Sequence, residues 1–140
     1  MNAVSHRRQT FPSAPVSAGR ARVFVESVLA GAGLDHLAFT ATLLVSELVA
    51  NAVLHSGTPL EVVVACGEDR VRVEVHDGNP QLPVRKHYSN MSGTGRGLLL
   101  VERMADGWGA DRTAGGKLVW FELDGRSAPT FDDILDVEAI

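Results

Sequence analysis

An apolar stretch from Leu43 to His55 has the periodicity of a helix. At 3.6 residues per turn its leucines, valines and alanines spread over most of the circumference, which predicts a helix buried in the core. Glu47 and Asn51 lie one turn apart and therefore share a face. A buried carboxylate is costly unless a partner, a proton or a bound ion compensates its charge, so Glu47 marks a position that needs such a group.

Apolar residues at helical spacing predict three helices in all. They cover Ala18–Ala30, Leu34 to about His55, and Leu98–Asp106. Ser17 and Asp35 are suitable N-caps for the first two helices. The Gly31-Ala32-Gly33 sequence ends the first helix, and Gly107 can cap the third.

Strict alternation of apolar and polar residues in Val71–Asp77 predicts a half-buried strand. The preceding run, Leu60–Cys66, is rich in β-branched residues, and a turn at 67–70 joins the two runs into an antiparallel hairpin. Three further strands are predicted, at Arg8–Pro12, Trp108–Asp111 and Lys117–Leu123. The polar alternate positions Arg72, Glu74 and His76 indicate that one face of the sheet meets water or a partner.

The order of these elements predicts an α/β (α+β) fold. We expect a two-layer sandwich, in which a mixed, mostly antiparallel sheet is covered on one face by three helices. The 140 residues suit a single domain with its core at 18–123. Residues 1–8 are expected to be loose, and 124–140 to form an acidic tail, either solvated or a short amphipathic helix.

Charge and composition exclude several classes of function. The net charge of −4 disfavours direct nucleic-acid binding through a basic surface. A single cysteine, Cys66, excludes an intrachain disulfide framework. No uninterrupted apolar run approaches the roughly 20 residues of a membrane span, and the first ten residues lack a signal-peptide core. We therefore expect a cytoplasmic protein with no membrane association.

Two groups of polar residues are candidates for chemistry. Glu47 and Asn51 are either a polar pair that satisfies itself, or an acid that acts on a hydroxyl beside an amide oxygen that binds Mg²⁺. Asp77-Gly78-Asn79 is either an ordinary turn after a strand or a base-binding site. In the second case the Asp77 carboxylate accepts a hydrogen bond from an exocyclic amine, and Gly78 allows close approach of the ligand.

A glycine-rich segment precedes the third helix. Gly93, Thr94, Gly95, Arg96 and Gly97 lead into Leu98 at the end of a long polar stretch, 81–94. The segment is either a flexible hinge or an anion site, in which backbone N–H groups and the helix N-terminus face phosphates and Arg96 grips them. Its GxGxG spacing matches neither the P-loop nor the Rossmann fingerprint.

In this order and spacing, the three groups resemble the GHKL family of ATP-binding domains, which have the Bergerat fold. Glu47 and Asn51 in ELVANAVLH are similar to the N box of the family. Asp77 and Gly78 in VHDGNP are similar to its first glycine box, and GTGRGLLLVERMAD (93–106) to its second. GKLVWFEL (116–123) looks like the closing strand, with Leu118 where many relatives carry a small hydroxyl residue. The resemblance covers about residues 18–123.

The resemblance implies ATP and Mg²⁺ as ligands and a role for each matching residue. Asn51 would bind Mg²⁺, and Asp77 with Gly78 would hold the adenine. The segment from Gly93 through Leu98, including Thr94, Gly95, Arg96 and Gly97, would enclose the phosphates. Glu47 would be the catalytic base. His55, one turn beyond Asn51, either faces a phosphate or faces solvent.

Within the family, the short chain looks most like the anti-sigma-factor serine/threonine kinases and the small ATP-binding regulators of actinobacteria. This likeness implies a kinase that phosphorylates an anti-sigma-factor antagonist and also binds a sigma factor, with a possible homodimer. One alternative is a non-catalytic ATP-dependent switch whose loop 81–97 orders on ATP and presents a protein-binding surface. Another is a detached histidine-kinase catalytic domain.

Overall fold

The sheet and the helices form two layers. The computed structural model describes residues 5–83 and 93–126, and for 93–97 it describes the backbone alone. The strands are β1 (Ser5–Phe11), β2 (Leu60–Gly67), β3 (Arg70–Asp77), β4 (Gly107–Thr113) and β5 (Gly116–Asp124). The helices are α1 (Val16–Gly31), α2 (Ala38–His55), which follows a 3₁₀ turn at Asp35–Leu37, and α3 (Gly93–Met104).

The five described strands form one sheet in the order β1-β2-β3-β5-β4. Each of its four pairings is antiparallel, and the predicted hairpin is confirmed as the β2–β3 pair. Helix α2 packs against α1, α3 and β3, and α1 also packs against β1 and β2. The predicted α+β sandwich with three helices is thus confirmed.

The core lies between the helices and one face of the sheet. Alternate residues Val71, Val73 and Val75 of β3 are buried, as strict alternation predicted. Phe121 of β5 and Leu44 of α2 are also completely buried in the same cluster. The two layers thus share a single apolar core in the described part of the chain.

The opposite face of the sheet carries a polar network. The Arg72 guanidinium donates to Glu74 (Nε–Oε2 2.9 Å) and Glu122 (Nη1–Oε2 3.2 Å), and lies 4.1 Å from the ring centroid of Trp120. Burial raises the pKa of Glu74, but hydrogen bonds from His76 and Arg72 together outweigh burial and hold that pKa below its usual value. The network leaves this face half-buried and polar, as the alternation indicated.

Several predicted boundaries and caps are wrong. Residues Ser5–Arg8, expected to be loose, belong to β1. Ser17 is not the N-cap of α1, because the helix begins before it, and its buried hydroxyl donates to the Pro12 carbonyl at 2.6 Å. Asp35 lies in the 3₁₀ turn and makes no capping hydrogen bond, while Gly107 begins β4. Most of the predicted acidic tail, residues 127–140, lies outside the described residues.

Helix α2 is less completely buried than its sequence predicted. Phe39 is 57% exposed and Leu54 is 65% exposed. Residues 35–55 have the length and mean hydropathy of a possible membrane span. The core helix of a sandwich meets the same criterion, and α2 holds that position here, so this similarity is weak support for a membrane segment.

Truncating the core side of α2 should destabilise the protein far more than truncating its exposed side. Leu44→Ala removes a completely buried side chain, and we expect it to lower the free energy of unfolding by about 3 kcal/mol. The matched control Leu54→Ala should change it by less than about 0.5 kcal/mol. Urea denaturation of both variants measures the difference. Equal effects would contradict the packing described for α2.

Candidate functional site

A cavity of about 220 Å³ opens beside α2, where β3 ends and β5 begins. Its walls are largely apolar and include Leu48, Ala52, Val75, Val119 and Leu98. Its polar side chains come from three places in the chain. They are Asn51 and His55 of α2, Asp77 at the end of β3 with Asn79 and Gln81 after it, and Lys117 of β5. Apolar walls with a few convergent polar groups are typical of a small-molecule site.

Asp77 and Lys117 form a buried ion pair in this cavity. The antiparallel register of β3 and β5 places the two residues directly opposite each other. The Lys117 Nζ lies 3.1 Å from Asp77 Oδ1 and 3.0 Å from Asp77 Oδ2. The Asp77 side chain is 2% exposed and the Lys117 side chain 9%. Since Lys and Asp are almost never buried unless paired, the pair accounts for both residues in this wall.

The turn after β3 is held by hydrogen bonds on both sides. The Asn79 N–H donates to Asp77 Oδ1 at 2.8 Å, and the Gly78 N–H donates to Thr58 Oγ1 at 2.8 Å. Asn79 Nδ2 also donates to the His55 carbonyl at 3.3 Å, which ties the turn to the end of α2. A Cβ on Gly78 would lie 3.2–3.3 Å from Thr58 side-chain atoms, so glycine suits this close approach. These contacts fix the direction of the Asp77 carboxylate.

The two predicted residues of α2 are placed differently relative to the cavity. Asn51 is half-buried and lines the cavity. Glu47, one turn earlier, is also half-buried, but it is not among the described residues that line the cavity. The expectation of a fully buried Glu47 carboxylate is therefore wrong, because the helix leaves part of its circumference uncovered.

The glycine-rich segment is helical rather than a loop before the helix. Helix α3 begins at Gly93, so Gly95 and Gly97 lie within its first turns. The N-terminal N–H groups of such a helix have no partner within the helix and carry partial positive charge. Leu98, one turn further on, lines the cavity, but the side chains of Thr94 and Arg96 lie outside the described residues. Most of the predicted loop, 84–92, also lies outside them.

Sequence reasoning missed Lys117, the most buried cation of the site. The resemblance drew attention to Leu118 in the closing strand, but alternation along β5 turns Leu118 to the opposite face of the sheet from Lys117. The sequence feature that could have indicated Lys117 is its position at the start of the clearly predicted strand Lys117–Leu123. That signal becomes informative only when β5 is known to pair with β3.

The donor set fits a nucleotide better than a metal ion held by the protein alone. No group of three or more His, Cys, Asp or Glu side chains with metal-binding geometry occurs among the described residues. Mg²⁺ in nucleotide sites uses one or two protein oxygens and completes its shell with waters and phosphates. The Asn51 side chain, which lines the cavity, can supply such an oxygen. The residues present thus fit a magnesium ion that arrives with a phosphate ligand.

The fold and the cavity define an α+β domain with a small-molecule site between a helix and the sheet. The chain belongs to the histidine kinase-like ATPase domain family, whose model matches residues 11–123. Among solved structures, the chain is similar to the crystal structure of the RsbU and RsbW domains of Rv1364c from Mycobacterium tuberculosis. That likeness has 22% sequence identity and a TM-score of 0.65, and covers 86% of this chain and 32% of the other. The chain thus spans about a third of that relative, and the likeness shows the shared fold. Comparison with curated proteins found no match.

Proposed function

We propose that this chain is an Mg-ATP-dependent regulatory protein, an anti-sigma-factor serine/threonine kinase that phosphorylates an anti-sigma-factor antagonist. The observation that carries ATP binding is the buried Asp77 carboxylate at the polar end of an apolar cavity, in a chain of the histidine kinase-like ATPase family. The RsbW domain in the structural relative supports the finer assignment of partner class.

The cavity suits the base of the nucleotide. Its volume of about 220 Å³ is below the roughly 300–1,000 Å³ of whole-ligand pockets, so the described walls accommodate one part of ATP. Leu48, Val75 and Val119 offer apolar surface to the faces of a planar ring. Asp77 accepts a hydrogen bond from the exocyclic amine of adenine, and Gly78 lets the ring approach the backbone.

The phosphates would extend along α2 toward α3. Asn51 would hold Mg²⁺, whose charge neutralises phosphate oxygens when it is bound. The N–H groups at the start of α3, from Gly93 through Gly97, would face the phosphates together with Thr94 and Arg96. Leu98 would pack beneath them, since it lines the cavity at the first turns of this helix.

Glu47 would act on the partner protein. Its carboxylate accepts the proton of a serine hydroxyl as the serine oxygen bonds to the γ-phosphorus. The bond from that phosphorus to the β–γ bridging oxygen breaks, and ADP leaves with the bond's electron pair. Phosphoryl transfer depends mainly on positioning and charge neutralisation, which needs no protein nucleophile.

A second candidate is a non-catalytic ATP-dependent switch that binds a partner protein. The placement of Glu47 outside the described lining of the cavity favours this alternative. In both cases we propose a cytoplasmic protein whose partners are proteins rather than membranes or nucleic acid, and which can form a homodimer.

Two measurements on the wild-type chain test these proposals. Calorimetry with ATP, in the presence and absence of Mg²⁺, should show binding that Mg²⁺ strengthens. Transfer of radiolabelled γ-phosphate to a candidate antagonist should then occur on serine or threonine. Absence of ATP binding would refute both candidates. Binding without transfer, but with ATP-dependent capture of a sigma factor, would favour the switch over the kinase.

A further inference from the structure

Lys117 places a cation beside the proposed base-binding carboxylate, inside the same cavity. We propose that Lys117 is a second base-reading residue, which donates a hydrogen bond to adenine N1 while Asp77 accepts one from the 6-amino group. This inference rests on the proposed binding of ATP and names the residue that completes recognition of the base.

Both side chains have hydrogen-bonding capacity left for a ligand. An ammonium group has three donor hydrogens, and among the described residues Lys117 makes two hydrogen bonds, to Asp77 Oδ1 and to the Asn79 carbonyl, each at 3.1 Å. A carboxylate offers about four lone-pair positions. Asp77 Oδ1 accepts hydrogen bonds from the Asn79 N–H and from Lys117, and Asp77 Oδ2 lies 3.0 Å from Lys117 Nζ as the second oxygen of the ion pair. Because both residues line the cavity, the remaining capacity is available to a ligand there.

The pair offers an acceptor and a donor side by side. The Watson–Crick edge of adenine has the complementary arrangement, with a donor amine at C6 and an acceptor at N1. Guanine and hypoxanthine reverse this order, since their C6 oxygen accepts and their N1–H donates. Bases are commonly recognised through hydrogen bonds to this edge combined with apolar contacts to their faces.

Asn79 prevents the acceptor and the donor from exchanging places. Its N–H holds Asp77 Oδ1, and its carbonyl holds Lys117 Nζ, so one residue fixes both ends of the pair. The strand register of β3 and β5 fixes the backbone on which Asp77 and Lys117 stand. An adenine ring can therefore satisfy the pair in one orientation, and a 6-oxopurine in the same orientation meets a mismatched donor and acceptor.

Nucleotide analogues separate the two contacts. In 1-deaza-ADP a C–H group replaces N1, and in purine riboside diphosphate a hydrogen replaces the 6-amino group. Wild-type protein should bind ADP about tenfold more tightly than 1-deaza-ADP, the difference expected for one hydrogen bond to a charged group. In Lys117→Met this preference should fall to about one, while the preference for ADP over purine riboside diphosphate persists through Asp77. Calorimetry measures each dissociation constant.

A matched control and the wild-type measurement keep the test decisive. Arg70→Met removes an exposed cation at the far end of β3 and should retain the tenfold preference. If Lys117→Met does not fold, Lys117→Gln tests the same contact, and its preference should fall well below tenfold. Wild-type protein that binds ADP and 1-deaza-ADP equally, or a preference unchanged in a folded Lys117 variant, would overturn the role of Lys117. Failure of the wild type to bind ADP at all would refute the proposed function instead.

Discussion

Asp77→Asn should weaken ATP binding by about tenfold to a hundredfold. In the proposed site the Asp77 carboxylate would accept a charge-assisted hydrogen bond from the adenine amine, and such bonds contribute about 1.5–3 kcal/mol. Asparagine retains one oxygen, but it loses the charge and can present its amide N–H toward the ligand amine. Calorimetric titration with ATP at saturating Mg²⁺ measures the loss.

The same substitution should destabilise the protein without nucleotide, because it breaks a buried ion pair. Lys117 would keep its charge in a wall where its side chain is 9% exposed, beside a neutral amide. Removing one partner of a buried pair costs about 3–5 kcal/mol, and the remaining amide oxygen favours the lower end of that range. Urea denaturation in nucleotide-free buffer separates this effect from the loss of ligand affinity.

Asp111→Asn is the matched control for both measurements. It makes the same chemical change at an exposed position on β4 of the same sheet. We expect its stability to change by less than about 0.5 kcal/mol and its ATP affinity to match the wild type. Unchanged ATP affinity in a folded Asp77→Asn protein would show that adenine does not bind at Asp77, and would contradict the proposed site.

Local patterns in the sequence were sufficient to predict most elements of the fold. The alternation in Val71–Asp77 placed β3 to within one residue of Arg70–Asp77, because a half-buried strand imposes a period of two on its own residues. The stop after α1 was also predicted. Gly33 has φ of 73°, in the left-handed region that glycine adopts readily, and the neighbouring Leu34 N–H donates to the Leu29 carbonyl at 2.8 Å. This hydrogen bond at a left-handed glycine is a common way for a helix to end.

Boundaries that depend on tertiary contacts could not be predicted locally. Ser17 is at a position typical of an N-cap, but its hydroxyl instead donates a hydrogen bond to the Pro12 carbonyl across the preceding turn. Glycine disfavours helix interiors by about 1 kcal/mol per residue, which made 93–97 look like a loop. The structure nevertheless begins α3 at Gly93, and packing of α3 against α2 supports the helix.

The site was predictable to the extent that its residues lie in local motifs. Asp77 and Asn51 were found from a strand end and an i, i+4 pair, and both line the cavity. Lys117 is 40 residues from Asp77, and their contact depends on β5 inserting between β3 and β4. Strand order is a property of the whole sheet, so the pair was not visible in any short stretch.

The second large effect is expected at Glu47, the proposed catalytic base on α2. Glu47→Gln should lower the rate of phosphoryl transfer to the antagonist by about 10²–10⁴-fold, the range for loss of a general base. The affinity for ATP should stay within about twofold of the wild type, because Glu47 is not among the described residues that line the cavity. Single-turnover transfer of radiolabelled phosphate, with calorimetry alongside, measures both quantities.

Glu26→Gln is the control for this prediction, since it makes the same change on an exposed position of α1. Its transfer rate and ATP affinity should both equal those of the wild type. Full transfer activity in Glu47→Gln would exclude Glu47 as the catalytic base. A loss of both ATP affinity and phosphoryl transfer would indicate that Glu47 contributes to nucleotide binding. A selective loss of transfer would instead show that α2 separates two roles by one turn, with binding at Asn51 and proton transfer at Glu47.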